Sequence, residues 1–189
     1  MRYASAIVTA PATATAFSIR AGQPADAEVL ASIGRRMFAL AHQDAFAYAE
    51  DLEWVLDRDW LPAVLARELQ DDAVRIFVAE VEGRPVGLTG LRHGPVPGRD
   101  QTSLEVCRVY LEQEHFGKGI GAALLDTALA SADAGGAPHT YLIAWERNDR
   151  AIPLYLRRGF VQMYTFAYTV GRSAPAAVLM ERTRPLTTG

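Results

Sequence analysis

Three glycines, an asparagine, a tyrosine and a glutamate carry most of the chemistry this sequence can offer. Gly117, Gly119 and Gly121 alternate with Lys118 and Ile120 between a strand-like and a helix-like segment. Glycine there lets the backbone approach a ligand closely, and a helix start presents unpaired N–H groups with partial positive charge. A pyrophosphate fits that description; an ordinary glycine-rich turn is the plainer alternative. Spacing excludes two familiar phosphate loops. No lysine stands in a G-x-x-x-x-G-K-[S/T] frame, and Leu124 occupies the place of the third glycine in G-x-G-x-x-G. Tyr155 follows Asn148 by seven residues, two helical turns, so both share one helix face. Asn148 is a natural N-cap. Glu105 is a carboxylate in an otherwise apolar segment. It reads either as a proton acceptor or as an exposed position or partner for Arg108.

The elements that must hold these residues follow from periodicity. Residues 17–20 alternate as a short strand, and apolar residues from Val29 to Phe38 recur at helical spacing after Pro24. A second helix is predicted over 51–69, with Pro62 marking a turn or fresh start inside it. Strands are predicted at 75–81 and 86–92, joined by a turn at 82–85, then a loop at 93–101 rich in Pro and Gly. Another strand covers 102–111. A helix then runs from the glycine loop to Gly135-Gly136. A strand at 141–145, a helix from Asn148 stopped by Gly159, and a hairpin from 160–170 and 176–181 complete the chain. The fold class is α/β: one domain over 17–184, preceded by a leader at 1–16 and followed by a tail at 185–189.

Bulk properties remove several functions. Hydrophobic residues make up 50% and charged residues 22% of the 189, a globular balance, and the net charge of −3 includes no basic run. Nucleic acid is therefore not an expected partner. No stretch is long and apolar enough for a membrane helix. The lone Cys107 and four dispersed histidines suit a reducing cytoplasm and offer no metal site.

Taken in order, four segments resemble the GNAT superfamily of N-acetyltransferases: LEVCRVYL at 104–111, FGKGIG at 116–121, WERNDRA at 145–151 and YLRRGF at 155–160. The resemblance spans about 17–184. Within the superfamily, SLEVCRVYLEQEHFGKGIG and AWERNDRAIPLYLRRGFVQ are similar to bacterial spermine/spermidine acetyltransferases of the PaiA type. It implies a mixed, mostly antiparallel sheet of about six or seven strands flanked by about four helices. It also implies acetyl transfer from acetyl-CoA to an amine by direct attack, without a metal.

The resemblance assigns roles as well. Val109, Tyr110 and Leu111 offer main-chain groups to the pantetheine arm where the fourth and fifth strands splay. Residues 116–121 (Phe116, Gly117, Lys118, Gly119, Ile120, Gly121) bind the diphosphate, and Asn148 lies against the CoA arm. Tyr155 is the general acid, with packing in the core as its alternative, and Glu105 is the candidate base. Phe116 departs from the family, which has Arg or Gln there, so one side-chain contact to phosphate is expected to be lost.

The acceptor is a small-molecule amine, such as a polyamine, or a peptide amine. The final hairpin carries no acid between its strands, which weighs against a polycation. The segment EDLEWVLDRDW at 50–60 reads either as an acidic, aromatic rim for a cationic amine or as a solvated helix face. Many members of the superfamily dimerise, which leaves a homodimer open. A non-catalytic acyl-CoA sensor is the competing reading.

Overall fold

The computed structural model describes residues 16–184, so the leader (Ala16 apart) and the tail lie outside the described residues. Seven strands form one sheet: β1 Phe17–Ala21, β2 Val74–Val81, β3 Arg84–Pro95, β4 Thr102–Leu111, β5 His139–Trp145, β6 Val161–Ala167 and β7 Ala176–Thr183. Their spatial order is β1-β2-β3-β4-β5-β7-β6. Every neighbouring pair is antiparallel except β4 with β5. Among the described residues five α-helices accompany the sheet: α1 Ala27–His42, α2 Ala49–Asp59, α3 Pro62–Glu68, α4 Ile120–Ala134 and α5 Ala151–Leu156.

Five helices rather than four result from Pro62. Leu61 before it is extended (φ −77°, ψ 144°), and Pro62 opens α3 where its missing N–H costs nothing. A second difference concerns β3, which runs to Pro95 instead of ending at Arg92. Its last residues pair with the start of β4, Gly94 with Ser103 and Pro95 with Thr102. Glycine is needed at 94 because a Cβ would lie 2.7 Å from the Tyr141 hydroxyl, which donates to Pro95 O at 3.0 Å. The Pro/Gly content reads as a loop but serves a strand end crossed by a tyrosine.

Alternation along the strands sends apolar side chains to two separate layers. Ile76, Val78 and Leu88 pack with Leu30, Ile33, Trp60 and Leu65 of the α1–α3 layer. On the other face Val106, Leu142 and Met180 pack with Leu125 and Leu129 of α4 and with Tyr155 of α5.

One irregularity shapes the site. Between β3 and β4 the register shifts, Gly90 opposing Arg108 but Leu91 opposing Val106, so Cys107 is the extra residue of a bulge. The bulge keeps Leu104 and Val106 on the same face as Val109 and Leu111. It also coincides with the parting of β4 from β5, whose pairing consists of Leu104 with Thr140 and Glu105 with Tyr141.

Candidate active site

Beyond Glu105 the sheet opens like a wedge. Glu112 N–H bonds Val86 O at 2.9 Å on the β3 side, so by alternation the main-chain groups of Leu111 and Val109 turn the other way, into the gap. A cleft of about 550 Å³ occupies the opening. Val109, Tyr110 and Leu111 line it, as do Phe116, Gly117, Gly119, Gly121, Asn148 and Tyr155. Lys118 is exposed beside it, and the Ile120 side chain is fully buried in the core, leaving only its main chain to face the ligand end of α4.

The glycine loop is held by backbone geometry. Gly117 and Gly119 have φ of +74° and +82°, a conformation other residues adopt only with strain. Gly121 is different: its φ is ordinary and an added Cβ would meet only Leu111 Cδ2, at 3.9 Å. Neither strain nor protein packing demands glycine there. The first bond of α4 is Ala123 N–H to Gly119 O at 3.0 Å, leaving the N–H groups of Ile120, Gly121 and Ala122 without intrahelical acceptors.

Arg147, Arg150 and Arg157 also line the cleft. The Arg150 guanidinium lies 4.2 Å from the centre of the Phe116 ring. The Phe116 ring thus seats, at this end of the cleft, an arginine delivered from 34 residues away.

Asn148 precedes α5 and its Oδ1 accepts Ala151 N–H at 3.0 Å, the capping role expected of it. Tyr155 is 8% exposed, with its ring edge-on to Phe160. Its hydroxyl has no hydrogen-bond partner among the described residues, yet it is not sealed off, so it opens onto the cleft. Burial pushes the phenol up to about 12.

A second cleft, about 160 Å³, lies on the α1–α3 side and is walled by Phe38, Phe46, Trp145 and Tyr168. Glu105 and Arg92 face it as cross-strand partners, Arg92 Nε donating to Glu105 Oε2 at 2.9 Å. Arg108, the alternative partner, instead binds Glu68 of α3 and stacks on Trp60 at 4.9 Å. A small cavity of about 60 Å³ shares lining residues with both clefts. Tyr155, Asn148 and Val109 belong to it and to the first cleft, His42 and Cys107 to it and to the second. His42 was not singled out from the sequence; the only available signal was its place at the end of an amphipathic helix.

The acidic segment of α2 does not form an open anionic rim. Arg35 takes Glu53 and Asp57, Arg58 takes Asp59, and Arg172 takes Glu50. Asp51 Oδ2 accepts the N–H groups of Arg172 at 3.0 Å and Ser173 at 2.8 Å, tying the β6–β7 connection down beside the second cleft. Trp60 is buried and Trp54 is exposed with Arg58 over its ring. Glu112, Glu114 and His115 bring ligand atoms within 4.8 Å of one another, but Glu112 is committed to Arg36. Among the described residues no helix is long and apolar enough to cross a membrane.

Known proteins resemble this chain in sequence and in shape. An uncharacterized N-acetyltransferase of Mycobacterium tuberculosis is 32% identical over 146 residues, 77% of this chain and 90% of its own. The PaiA N-acetyltransferase of Thermoplasma acidophilum, solved with coenzyme A, superposes with a TM-score of 0.71 at 20% identity, covering 89% of this chain and 99% of its own. The acetyltransferase yncA of Salmonella typhimurium, solved with acetyl-CoA, gives 0.63 at 21%, covering 92% and 96%. Both share the fold. Residues 35–160 match the acetyltransferase (GNAT) family, and with this sheet, loop and cleft the chain belongs to that family of acetyltransferases.

Proposed function

We propose that the protein transfers an acetyl group from acetyl-CoA to a compact amine that enters from the α1–α3 side. The observation that carries this reading is the wedge between β4 and β5, with a cleft on either side and Tyr155 lining the small cavity that shares residues with both. Gly121 supports the fit: a cradle that nothing in the protein fills suits a diphosphate resting on the N–H groups of Ile120, Gly121 and Ala122. Arg150, seated on Phe116, supplies the cation the family takes from the loop itself. Val109 and Leu111 hold the amide-bearing arm as a sheet edge holds a strand.

Acetyl-CoA brings an activated thioester; the remaining chemistry belongs to this chain. Tyr155 donates its proton to the departing sulfur. A phenol near 12 is a poor acid toward an ordinary thiol, whose value is about 8.5. The cavity alters the comparison. Cys107 lines it too, and burial pushes that thiol up to about 11, so burial acts in the same direction on a thiolate formed beside it. Glu105, ion-paired with Arg92 at 2.9 Å, borders the acceptor-side cleft and is placed to attract an ammonium.

The aromatic walls and small volume of the second cleft favour a compact amine with an apolar body, such as tyramine, over spermidine. The neutralised acids of α2 point the same way. Tyr155→Phe tests the reading by thiol release with spermidine, tyramine, L-lysine and glycinamide. Turnover should fall about 10²-fold or more while acetyl-CoA binding holds. Equal turnover in both proteins removes Tyr155 from the mechanism. Acetyl-CoA binding without turnover of any amine favours a sensor instead.

A further inference from the structure

We infer that His42 is the general base of the reaction, its Nε2 taking the proton that the acceptor ammonium must lose. The inference rests on the acetyl-transfer reading above and names a residue that reading leaves unassigned. His42 is the last residue of α1, and its ring lines both the acceptor-side cleft and the small cavity that also holds Tyr155 and Asn148. It therefore stands where the incoming nitrogen must pass.

Three features make the ring a base. Its Nδ1 lies 2.9 Å from Phe38 O, and a carbonyl can only accept, so Nδ1 carries the proton and Nε2 keeps its lone pair. No group among the described residues bonds Nε2, and it is not one of the sealed, partnerless polar atoms, so it opens onto the cavity. The ring is also fixed, stacked on Phe38 at 4.2 Å and 20° and tilted against Trp145 at 6.1 Å. Burial lowers its pKa below the ordinary imidazole value, outweighing the Phe38 carbonyl that raises it. Neutral imidazole is thus the form present at pH 7.

Other titratable groups border the same two cavities. Glu105, Cys107, Arg108 and Tyr110 come from β4, Arg58 and Asp59 from the end of α2, and Arg92 from β3. Tyr168 stands between β6 and β7, and Tyr155 comes from α5. The arginines are paired with Asp59, Glu105 and Glu68, the two thiol and phenol neighbours on β4 are raised by burial, and Glu105 is bound by Arg92. Among these groups the imidazole is the one that offers an unbonded nitrogen lone pair open to the cavity.

The proton count closes. One proton passes from the ammonium to Nε2 and on to water, and the freed nitrogen lone pair forms the C–N bond. The C–S bond breaks with its electrons on sulfur, which receives the Tyr155 proton. The second proton shed by the nitrogen restores the phenol.

His42→Asn keeps a donor for Phe38 O but has no basic nitrogen. It should acetylate the preferred amine of the panel about 10²-fold less efficiently at pH 7, with acetyl-CoA binding unchanged. Because the variant must draw free amine from solution, the deficit in kcat/KM should shrink about tenfold per pH unit up to pH 9. Glu105→Gln should instead raise KM without that recovery. A deficit independent of pH, no deficit, or the recovering deficit in Glu105→Gln overturns the assignment alone. Wild-type inactivity toward every amine, with intact acetyl-CoA binding, overturns the acetyl-transfer reading beneath it. Should His42→Asn not fold, ¹⁵N NMR of the wild-type ring decides. An unprotonated Nε2 at pH 7 is expected, and an imidazolium or an Nε2–H tautomer overturns the inference.

Discussion

Phe116 and Arg150 stack as one unit, so the contribution proposed for them at the phosphate end is measurable. An arginine over an aromatic face near water gains about 0.5–1 kcal/mol, and a charged hydrogen bond to phosphate about 1.5–3 kcal/mol. Arg150→Ala should therefore weaken coenzyme A binding about tenfold or more, and Phe116→Ala, which merely frees the guanidinium, about threefold. Calorimetry at two salt concentrations checks both, since the loss in Arg150→Ala should narrow as salt screens the interaction. Phe116→Arg should recover affinity in the Arg150→Ala background, and a failure to recover would show that the phosphate sits elsewhere. The sequence alone gave Tyr155, Asn148 and the glycines their places because each belongs to a short motif. It could not pair Phe116 with Arg150, nor bring His42 beside Tyr155. Those meetings depend on how far β4 parts from β5 and on how α1 crosses the gap.

Elements were legible wherever local chemistry decides them. Pro62 announces its own break; the bulge at Cys107, which puts Leu104 and Val106 on one face with Val109 and Leu111, lay hidden in a segment expected as one plain strand. The overrun of β3 was hidden because Gly94 and Pro95 look like a loop until Tyr141 is placed over them. The attachment of edge strand β1 (Phe17–Ala21) was hidden because it depends on Arg20 meeting Asp26 and Glu80. Asp26 Oδ2 and Oδ1 accept from Arg20 at 2.7 and 2.8 Å, and Oδ2 also accepts Gln23 N–H at 2.8 Å. Asp26→Asn should cost about 1–2 kcal/mol in urea unfolding, the lower range for charged hydrogen bonds near water. Arg20 holds the Asp26 carboxyl below the usual carboxylate range. Its stabilisation is then complete above the unfolded value of about 3.9 and fades as falling pH passes through the lowered folded value. Wild type should therefore lose stability below pH 4 more steeply than Asp26→Asn, and parallel acid profiles would deny Asp26 that role.

At the scale of the whole molecule the sheet is two blades hinged at two residue pairs. β1 to β4 form one blade, β5, β7 and β6 the other, and among the described residues only Leu104–Thr140 and Glu105–Tyr141 join them by strand pairing. A ligand in the wedge touches both blades at once, so it adds a connection the sheet lacks. If acetyl-CoA lies there, it stabilises the fold by about 2.7 kcal/mol at a hundredfold excess over Kd, which for a chain of this size raises Tm by about 5–10 °C. The location of the effect matters more than its size. Amide exchange should slow at Val109 and Leu111, whose N–H groups face the gap, and at Ile120 to Ala122, where α4 begins. The outer pairings of β1 with β2 and of β6 with β7 should change little, since the ligand does not touch them. Protection confined to those edges, or a Tm rise without protection at 109 and 111, would mean that acetyl-CoA binds outside the wedge, and both Tyr155 and His42 would then have no thioester to act upon.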